Sequence, residues 1–394
     1  MIYHSNDITP MKKQLLFVID SLGSGGAEKS LISLLPLIDY TRFIVDLVIF
    51  DRGGVYEKYL PREVNIFDYQ LYQKNLWGQI KKVLCHALLS PQLRLNKKRH
   101  GAEIHWRTMY RFYHDFPGEY DAAIAYQQGV PTFFVATKVN AKKKLAWINA
   151  DIFAAGYDLE YCRQFYEQMD FIVAVSNKLQ NLLCTKTPWM MDRLTCVYDI
   201  INPDVIVSLA KKTVQDMTIS RGEMAIVTVG RLTRPKNYIL AVNAARILKD
   251  KGLKFKWFFV GEGEMRRAIE MRIKDNGLQN EVILLGFKEN PYPYMAKADV
   301  YVQTSTFEGF GLTIAEAKIL HRPVVSTDFD IVHDQITDGQ NGLIAEMTPE
   351  SVAEKILKLL YGDSLRSKII HNLEKENNTT SSTEIQKFNQ LIES

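Results

Sequence analysis

The sequence predicts an α/β protein built as two doubly wound halves, each a parallel sheet with helices packed on its faces. Three observations carry this expectation. Apolar runs of strand length alternate with stretches of helical spacing twice over, first from Lys13 to about residue 200 and again from Ala225 onward. Several runs end in glycine or enter a glycine-bearing loop, as strands do at the carboxyl edge where open α/β sheets bind ligands. The chain of 394 residues is also longer than one ordinary domain.

The leading residues 1–12 lack the apolar core of a signal peptide and read as a disordered leader. Lys13–Asp20 is a nearly continuous apolar run, the pattern of a parallel strand covered on both faces. The loop Ser21–Lys29 follows, with Gly23, Gly25 and Gly26, and Ser30–Leu37 carries helical apolar spacing. This glycine loop is neither G-x-G-x-x-G nor a Walker loop, so by itself it fits a tight strand-to-helix turn as well as a ligand loop. Further strands are expected at Phe43–Phe50, Val64–Phe67, Asp121–Tyr126, Lys144–Ile148 and Phe171–Ser176.

Between Tyr69 and Gly101 there is no acidic residue, whereas Lys74, Lys81, Lys82, Arg94, Lys97, Lys98 and Arg99 interleave with Leu76, Trp77, Ile80, Val83, Leu84, Leu88 and Leu89. A basic amphipathic stretch of this kind suits an anionic membrane surface, and equally a solvated surface helix. The net charge of +4 is too small to argue for a nucleic-acid partner. Cys85, Cys162, Cys184 and Cys196 form no C-x-x-C pair and read as buried small hydrophobes of a reducing compartment rather than as metal ligands.

The switch between halves is expected near Tyr198–Pro203, before the polar stretch Lys211–Gly222. A second alternation then begins with strand Ala225–Val229, loop Gly230–Lys236 and helix Tyr238–Asp250. Leu240, Ala244, Ile247 and Leu248 of that helix share one face. Strand Phe255–Val260 ends at Gly261, and strand Val282–Leu285 ends at Gly286 and Phe287. Arg231 and Lys236 sit in the first of these loops, where two cations suit a diphosphate.

The stretch Tyr301–Asp328 organises the whole chain. It begins as a strand, breaks at Phe307–Gly311, resumes as a helix from Leu312 to about Leu320 and opens another strand at Pro323. Gly309 and Gly311 let the backbone bend sharply, and the helix start aims N–H groups into the same space. Glu308 and Glu316 bracket the turn, roughly 8–12 Å apart from the ~1.5 Å rise of a helix, which suits two ends of one ligand. In the tail, Asn377–Ser382 is polar. Glu384 then opens a helix with Ile385, Phe388, Leu391 and Ile392 on one face, and Ser381-x-x-Glu384 reads as a capping box.

Glu308, seven residues and then Glu316, with Gly309, Phe310 and Gly311 between, resembles the signature of retaining glycosyltransferases of family 4. The resemblance implies two Rossmann-like domains facing across a cleft, the GT-B architecture. Its boundaries here would be an acceptor-binding domain at 13–200, a nucleotide-sugar-binding domain at 201–376 and a last helix at 377–394 crossing back to the first domain. It implies a sugar donor linked to a nucleotide, most simply uridine diphosphate, and a glycan or lipid-linked hydroxyl acceptor in cell-surface polysaccharide or glycolipid synthesis. Glu316 would bind the ribose and Glu308 the transferred sugar. Arg231 and Lys236 would hold the diphosphate, and Gly286 and Phe287 would face the base. The backbone at Gly261, Gly309, Phe310, Gly311 and Leu312 would line the donor. Gly25 and Gly26 match a Gly-Gly-Ala-Glu segment that lies near the donor phosphates or the acceptor. Related transferases often carry histidine where Asn149 stands, on the acceptor side. Asparagine keeps the hydrogen bonds but takes up no proton at neutral pH, so a positional role survives there and a proton-transfer role does not.

Catalysis would fall to Glu308, Arg231 and Lys236, with no cofactor and no metal, because the chain carries no His/Cys ligand cluster. The expected location is cytoplasmic, peripheral on the inner membrane face if Lys74–Arg99 touches lipid. Two rivals stay open: a sugar-nucleotide epimerase of the same architecture, and a non-catalytic paralogue that partners another transferase.

Overall fold

The computed structural model describes residues 12–23, 25–69, 71, 76–96, 99–376 and 380–393. Apart from Lys12, the expected leader lies outside them, as do Lys74, Lys97, Lys98 and residues 377–379. The chain divides into two compact units. One comprises Met1–Val175, Gln180–Ile200 and Thr383–Ser394, and the other Ser176–Leu179 and Ile201–Ser382.

The first unit holds a seven-stranded sheet, all of its pairings parallel. Its strands are β1 (Lys13–Ser21), β2 (Phe43–Asp51), β3 (Val64–Asp68), β4 (Phe116–Ala125), β5 (Val139–Ile148), β6 (Phe171–Ala174) and β7 (Leu194–Cys196), in the order β3-β2-β1-β4-β5-β6-β7. Its helices are α1 (Gly26–Leu34), α2 (Leu76–Leu95), α3 (Gly101–Met109), α4 (Val130–Lys138), α5 (Leu159–Tyr166) and most of α6 (Asn177–Lys186). Leu15 to Ile19 of β1 are fully buried, which is why that strand reads as an uninterrupted apolar run.

The second unit holds a six-stranded parallel sheet of β8 (Met224–Val229), β9 (Phe255–Val260), β10 (Val282–Gly286), β11 (Val300–Gln303), β12 (Val324–Thr327) and β13 (Leu343–Ala345), in the order β10-β9-β8-β11-β12-β13. Around it lie α7 (Pro203–Ala210), α8 (Tyr238–Asp250), α9 (Arg266–Asp275), α10 (Tyr292–Ala296), α11 (Leu312–Ile319), α12 (Val332–Gln335), α13 (Pro349–Tyr361) and α14 (Asp363–Lys375). The last helix, α15 (Thr380–Glu393), lies mostly in the first unit, where the Phe388 ring stacks on Phe17 and lies 6.1 Å from Trp147.

Strand order reverses between β1 and β4 in one sheet, and between β8 and β11 in the other. The connections leaving such a pair run to opposite faces, so a crevice opens at their carboxyl ends. That topology alone directs attention to the loops after these four strands.

Several expectations need correction. Helix α1 starts at Gly26 rather than Ser30. Strands β4 and β5 each begin five residues before the expected Asp121 and Lys144, through segments too polar or irregular to read as strand; Gly118 has φ +98° and the β4–β5 register shifts there. The capping box is absent: α15 is already helical at Thr380, and the Glu384 carboxylate instead accepts the Tyr198 N–H at 2.8 Å and pairs with Lys387. Cys85 and Cys162 are buried as expected, whereas Cys184 and Cys196 are only half-buried.

Candidate active site

In the second unit the loops after β8 and β11 are joined. The Thr306 N–H donates to the Pro235 carbonyl at 2.7 Å, and the Thr304 hydroxyl to the Lys236 carbonyl at 3.0 Å. These bonds hold Lys236 against the turn that carries Glu308. One carboxylate oxygen, Glu308 Oε1, accepts three bonds: from Lys236 Nζ at 2.5 Å, from the Ser305 hydroxyl at 2.6 Å and from Gln303 Nε2 at 2.7 Å. The side chains of Lys236 and Glu308 are 20% and 13% exposed, so this pair is only lightly screened by water. Three donors on one oxygen fix the carboxylate.

Gln303, at the end of β11 and 1% exposed, is the hub that sequence reasoning missed. Its Oε1 accepts from the Tyr301 and Thr313 hydroxyls while its Nε2 donates to Ser305 and Glu308. The signal available was an amide ending a fully buried strand, since a buried amide must find partners for both ends. Tyr238 donates its hydroxyl to the Gly230 carbonyl, and burial raises its pKa well above the usual phenol value, so it remains a donor.

Gly311, at φ +85°, turns the chain into α11, which opens with no side-chain cap on its first N–H groups. The Gly309 backbone is buried beside it, and Gln335 Nε2 holds the Phe310 carbonyl at 3.0 Å. Leu312 packs with Ile201, Ile206 and Ile319. Glu316, one helical turn further on, is 2% exposed and accepts the Tyr292 hydroxyl at 3.0 Å on Oε1. Neither glutamate is a solvated surface residue.

The ends of β8, β9 and β10 touch through glycine. A Cβ on Gly261 would stand 1.9 Å from the Gly230 carbonyl oxygen, while the Gly261 N–H donates to the Gly286 carbonyl at 2.9 Å. Only a residue without a side chain permits that approach. A Cβ on Gly230 would meet the stem of Lys236 at 3.5 Å, Arg231 is exposed, and Phe287 is 38% exposed. The structure thus brings Lys236 and Glu308 into direct contact and leaves Arg231 free of ion pairs among the described residues.

In the first unit, the loop after β1 carries Gly25 as the N-cap of α1 and Gly26 as its first residue. Asp20, at the end of β1, has its pKa pushed up to about 7 by burial and by the nearby carboxylates of Glu28 and Asp51. The sequence analysis did not single it out, although an acid closing an apolar strand is a legible signal. After β5, the Asn149 N–H donates to the Gln128 side chain at 3.0 Å, and both polar atoms of its amide are buried without a partner among the described residues. A buried, unsatisfied amide is costly unless a ligand completes it. Among the described residues no group of three or more His, Cys, Asp or Glu is placed to hold a metal ion, and no helix is long and apolar enough to cross a membrane.

Residues 211–376 match the family model described as glycosyl transferases group 1. The chain is a glycosyltransferase, and this segment is its group 1 domain. Over 358 residues, 90% of this chain and 92% of the relative, it is 26% identical to the N-acetylgalactosamine-N,N'-diacetylbacillosaminyl-diphospho-undecaprenol 4-alpha-N-acetylgalactosaminyltransferase of Campylobacter jejuni. It is 29% identical to the poly(ribitol-phosphate) alpha-N-acetylglucosaminyltransferase of Staphylococcus aureus, over 51% of this chain and 41% of that protein. Among solved structures, HepE of Anabaena, in complex with UDP and glucose, superposes with a TM-score of 0.68 at 17% identity, covering 97% of this chain and 99% of that one. TarM of S. aureus, in a complex that includes UDP, gives 0.67 at 15% identity over 97% and 100%. The fold is therefore that of these glycosyltransferases.

Proposed function

We propose that this glycosyltransferase belongs to retaining family 4 and moves a sugar from a UDP-sugar to a hydroxyl of a glycan or lipid-linked acceptor, in cell-surface polysaccharide or glycolipid synthesis. The observation that carries the reading is the fixed Lys236–Glu308 pair at the β8/β11 switch point, beside the N-terminus of α11 and eight residues before Glu316. Arg231, Lys236 and the first N–H groups of α11 meet the diphosphate, Glu316 the ribose, Phe287 and Gly286 the base, and Glu308 Oε2 the transferred sugar. The UDP in the HepE and TarM complexes and the alpha-linked transfers in the relatives' names support donor and stereochemistry. The undecaprenol-linked acceptor in the Campylobacter enzyme's name supports an acceptor, and a working place, at a membrane surface.

In the reaction, the bond from the anomeric carbon to the phosphate oxygen breaks and its electrons pass to the diphosphate, whose charge the two cations and the helix N–H groups stabilise. Retention places the incoming hydroxyl on the face that phosphate leaves, so the departing oxygen is the base nearest the acceptor proton. Glu308 opposes the positive charge that develops on the sugar ring. Around Gly25 and Gly26 the acids Asp20, Glu28 and Asp51 disfavour a phosphate, so that loop serves the acceptor with Asn149, whose unsatisfied amide suits sugar hydroxyls.

Incubation with a panel of nucleotide sugars tests the proposal. Slow acceptor-free release of UDP from one donor, and an α-linked product once an acceptor is added, are expected. Conversion of the donor to its epimer, or binding of no donor, would establish one of the two rivals instead.

A further inference from the structure

We propose that the acceptor this chain glycosylates ends in an uncharged sugar, its hydroxyls held by Asp20, Gln127 and Asn149 at the carboxyl edge of the first sheet. The same edge turns away an acceptor ending in phosphate or carboxylate. The inference rests on the reading of the first unit as the acceptor side and adds the class of acceptor it takes. Strands β1, β4 and β5 lie side by side. Val18 pairs with Ala125, and the Tyr126 N–H donates to the Val18 carbonyl at 2.9 Å, so Asp20 and Gln127 follow level on neighbouring strands. Ala125 pairs in turn with Ala146, and Asn149 follows the end of β5, its N–H held by Gln128 next to Gln127. Gln127 Oε1 and both polar atoms of the Asn149 amide are buried without a partner among the described residues. The Asp20 carboxyl takes no hydrogen bond among them either. Sugar hydroxyls, which donate and accept at once, complete such a set.

Both helix ends that could seat an anion at this edge are already covered. A helix N-terminus ordinarily attracts negative charge, and two open here, those of α1 and α4. A Cβ on Gly25 would stand 2.0 Å from Glu28 Oε2, so the Glu28 carboxylate lies against the N-cap of α1, where an anion would sit. At α4 the N-cap Gly129 has φ +94°, and a Cβ there would stand 2.7 Å from the Tyr157 hydroxyl, which lies against that end. Glu28 and Asp51 stand close enough to Asp20 to raise its pKa, so the field over the end of β1 is negative and repels a further negative group. Cations around these loops are committed elsewhere. Arg52, next to Asp51, pairs with Glu57, and Arg99 and Arg107 both pair with Asp158.

The test is binding of matched octyl glycosides to the full chain, with and without UDP, by saturation-transfer NMR and calorimetry. The panel holds glucose, galactose and their N-acetylamino forms, beside glucuronic acid, galacturonic acid and glycerol phosphate. At least one neutral glycoside should bind, and its uronic counterpart should bind at least about tenfold more weakly. Asn149→Ala and Gln127→Ala should each weaken the neutral glycoside about tenfold. Asp20→Asn keeps the shape and drops the charge, so it should bring the two affinities closer together. Unchanged melting curves and UDP affinities would show that the variants fold. Uronic or phosphate ligands that bind as tightly as the neutral ones, no binding by any neutral glycoside, or affinities that the variants leave unchanged would overturn the proposal. Glycoside binding is read without turnover, so a chain that binds glycosides but no nucleotide sugar would fail the transferase reading instead.

Discussion

Replacing Glu308 and Glu316 by glutamine, one at a time, separates nucleotide binding from chemistry. Glu308→Gln keeps a carbonyl oxygen that can still accept from Ser305, Gln303 and Lys236, so the turn should hold its shape. What it loses is the negative charge that faces Lys236 at 2.5 Å and, in the reaction, the charge growing on the sugar. A hydrogen bond to a charged group is worth roughly 1.5–3 kcal/mol, or about ten- to a hundredfold. The whole of that should fall on kcat, because the interaction strengthens only as the glycosidic bond breaks. Affinity for UDP should stay level or rise slightly, since Lys236 is released toward the diphosphate. Glu316→Gln keeps the acceptor for the Tyr292 hydroxyl but, in the role proposed for it, weakens the ribose bonds alike in ground and transition states. It should therefore reduce UDP affinity by about ten- to a hundredfold and raise the donor KM with little change in kcat. Titration calorimetry with UDP, beside turnover rates, reads both effects. If Glu308→Gln abolishes UDP binding while Glu316→Gln preserves it, the assigned roles are wrong.

Three further outcomes are expected. If Arg231, Lys236 and the α11 N–H groups supply the positive charge as proposed, activity should survive EDTA; loss on chelation with recovery on magnesium or manganese would refute that division of labour. Gly261→Ala drives a methyl group into the Gly230 carbonyl and should lower both the unfolding midpoint and UDP affinity, which thermal melts with and without UDP would show; an unchanged melt would mean that the edge relaxes freely. Burial raises the Asp199 pKa from its ordinary 3.8 to about 7, so the folded state holds a proton that the unfolded chain releases, and stability falls by up to roughly 4 kcal/mol as pH rises from 4 to 7. Asp199→Asn removes that loss, so denaturant unfolding should show a larger gain in stability at pH 8 than at pH 5; an equal gain at both would rule out the buried proton.

How much of this was legible in the sequence depended on whether a segment's partners are its own neighbours. Helix α8 was read to its residue limits, because the 3.6-residue spacing of Leu240, Ala244 and Leu248 is a local consequence of lying on a sheet. The turn from Phe307 to Gly311 and the start of α11 at Leu312 were equally plain, since Gly311 alone tolerates the left-handed conformation there. Strands β7 and β13, three residues each, were invisible, because so short a run has no period and exists only through the strand beside it. Glu384 resembled a helix cap from sequence spacing, yet its carboxylate satisfies the N–H of Tyr198, 186 residues away. Gln303 likewise became a hub only when the fold placed Tyr301, Ser305, Glu308 and Thr313 around it. The sequence by itself determined the two alternations, the glycine turns and the identity of the charged residues. Tertiary structure decided which carboxylate meets which cation and which acids keep a proton, because each depends on burial among groups far apart in the chain.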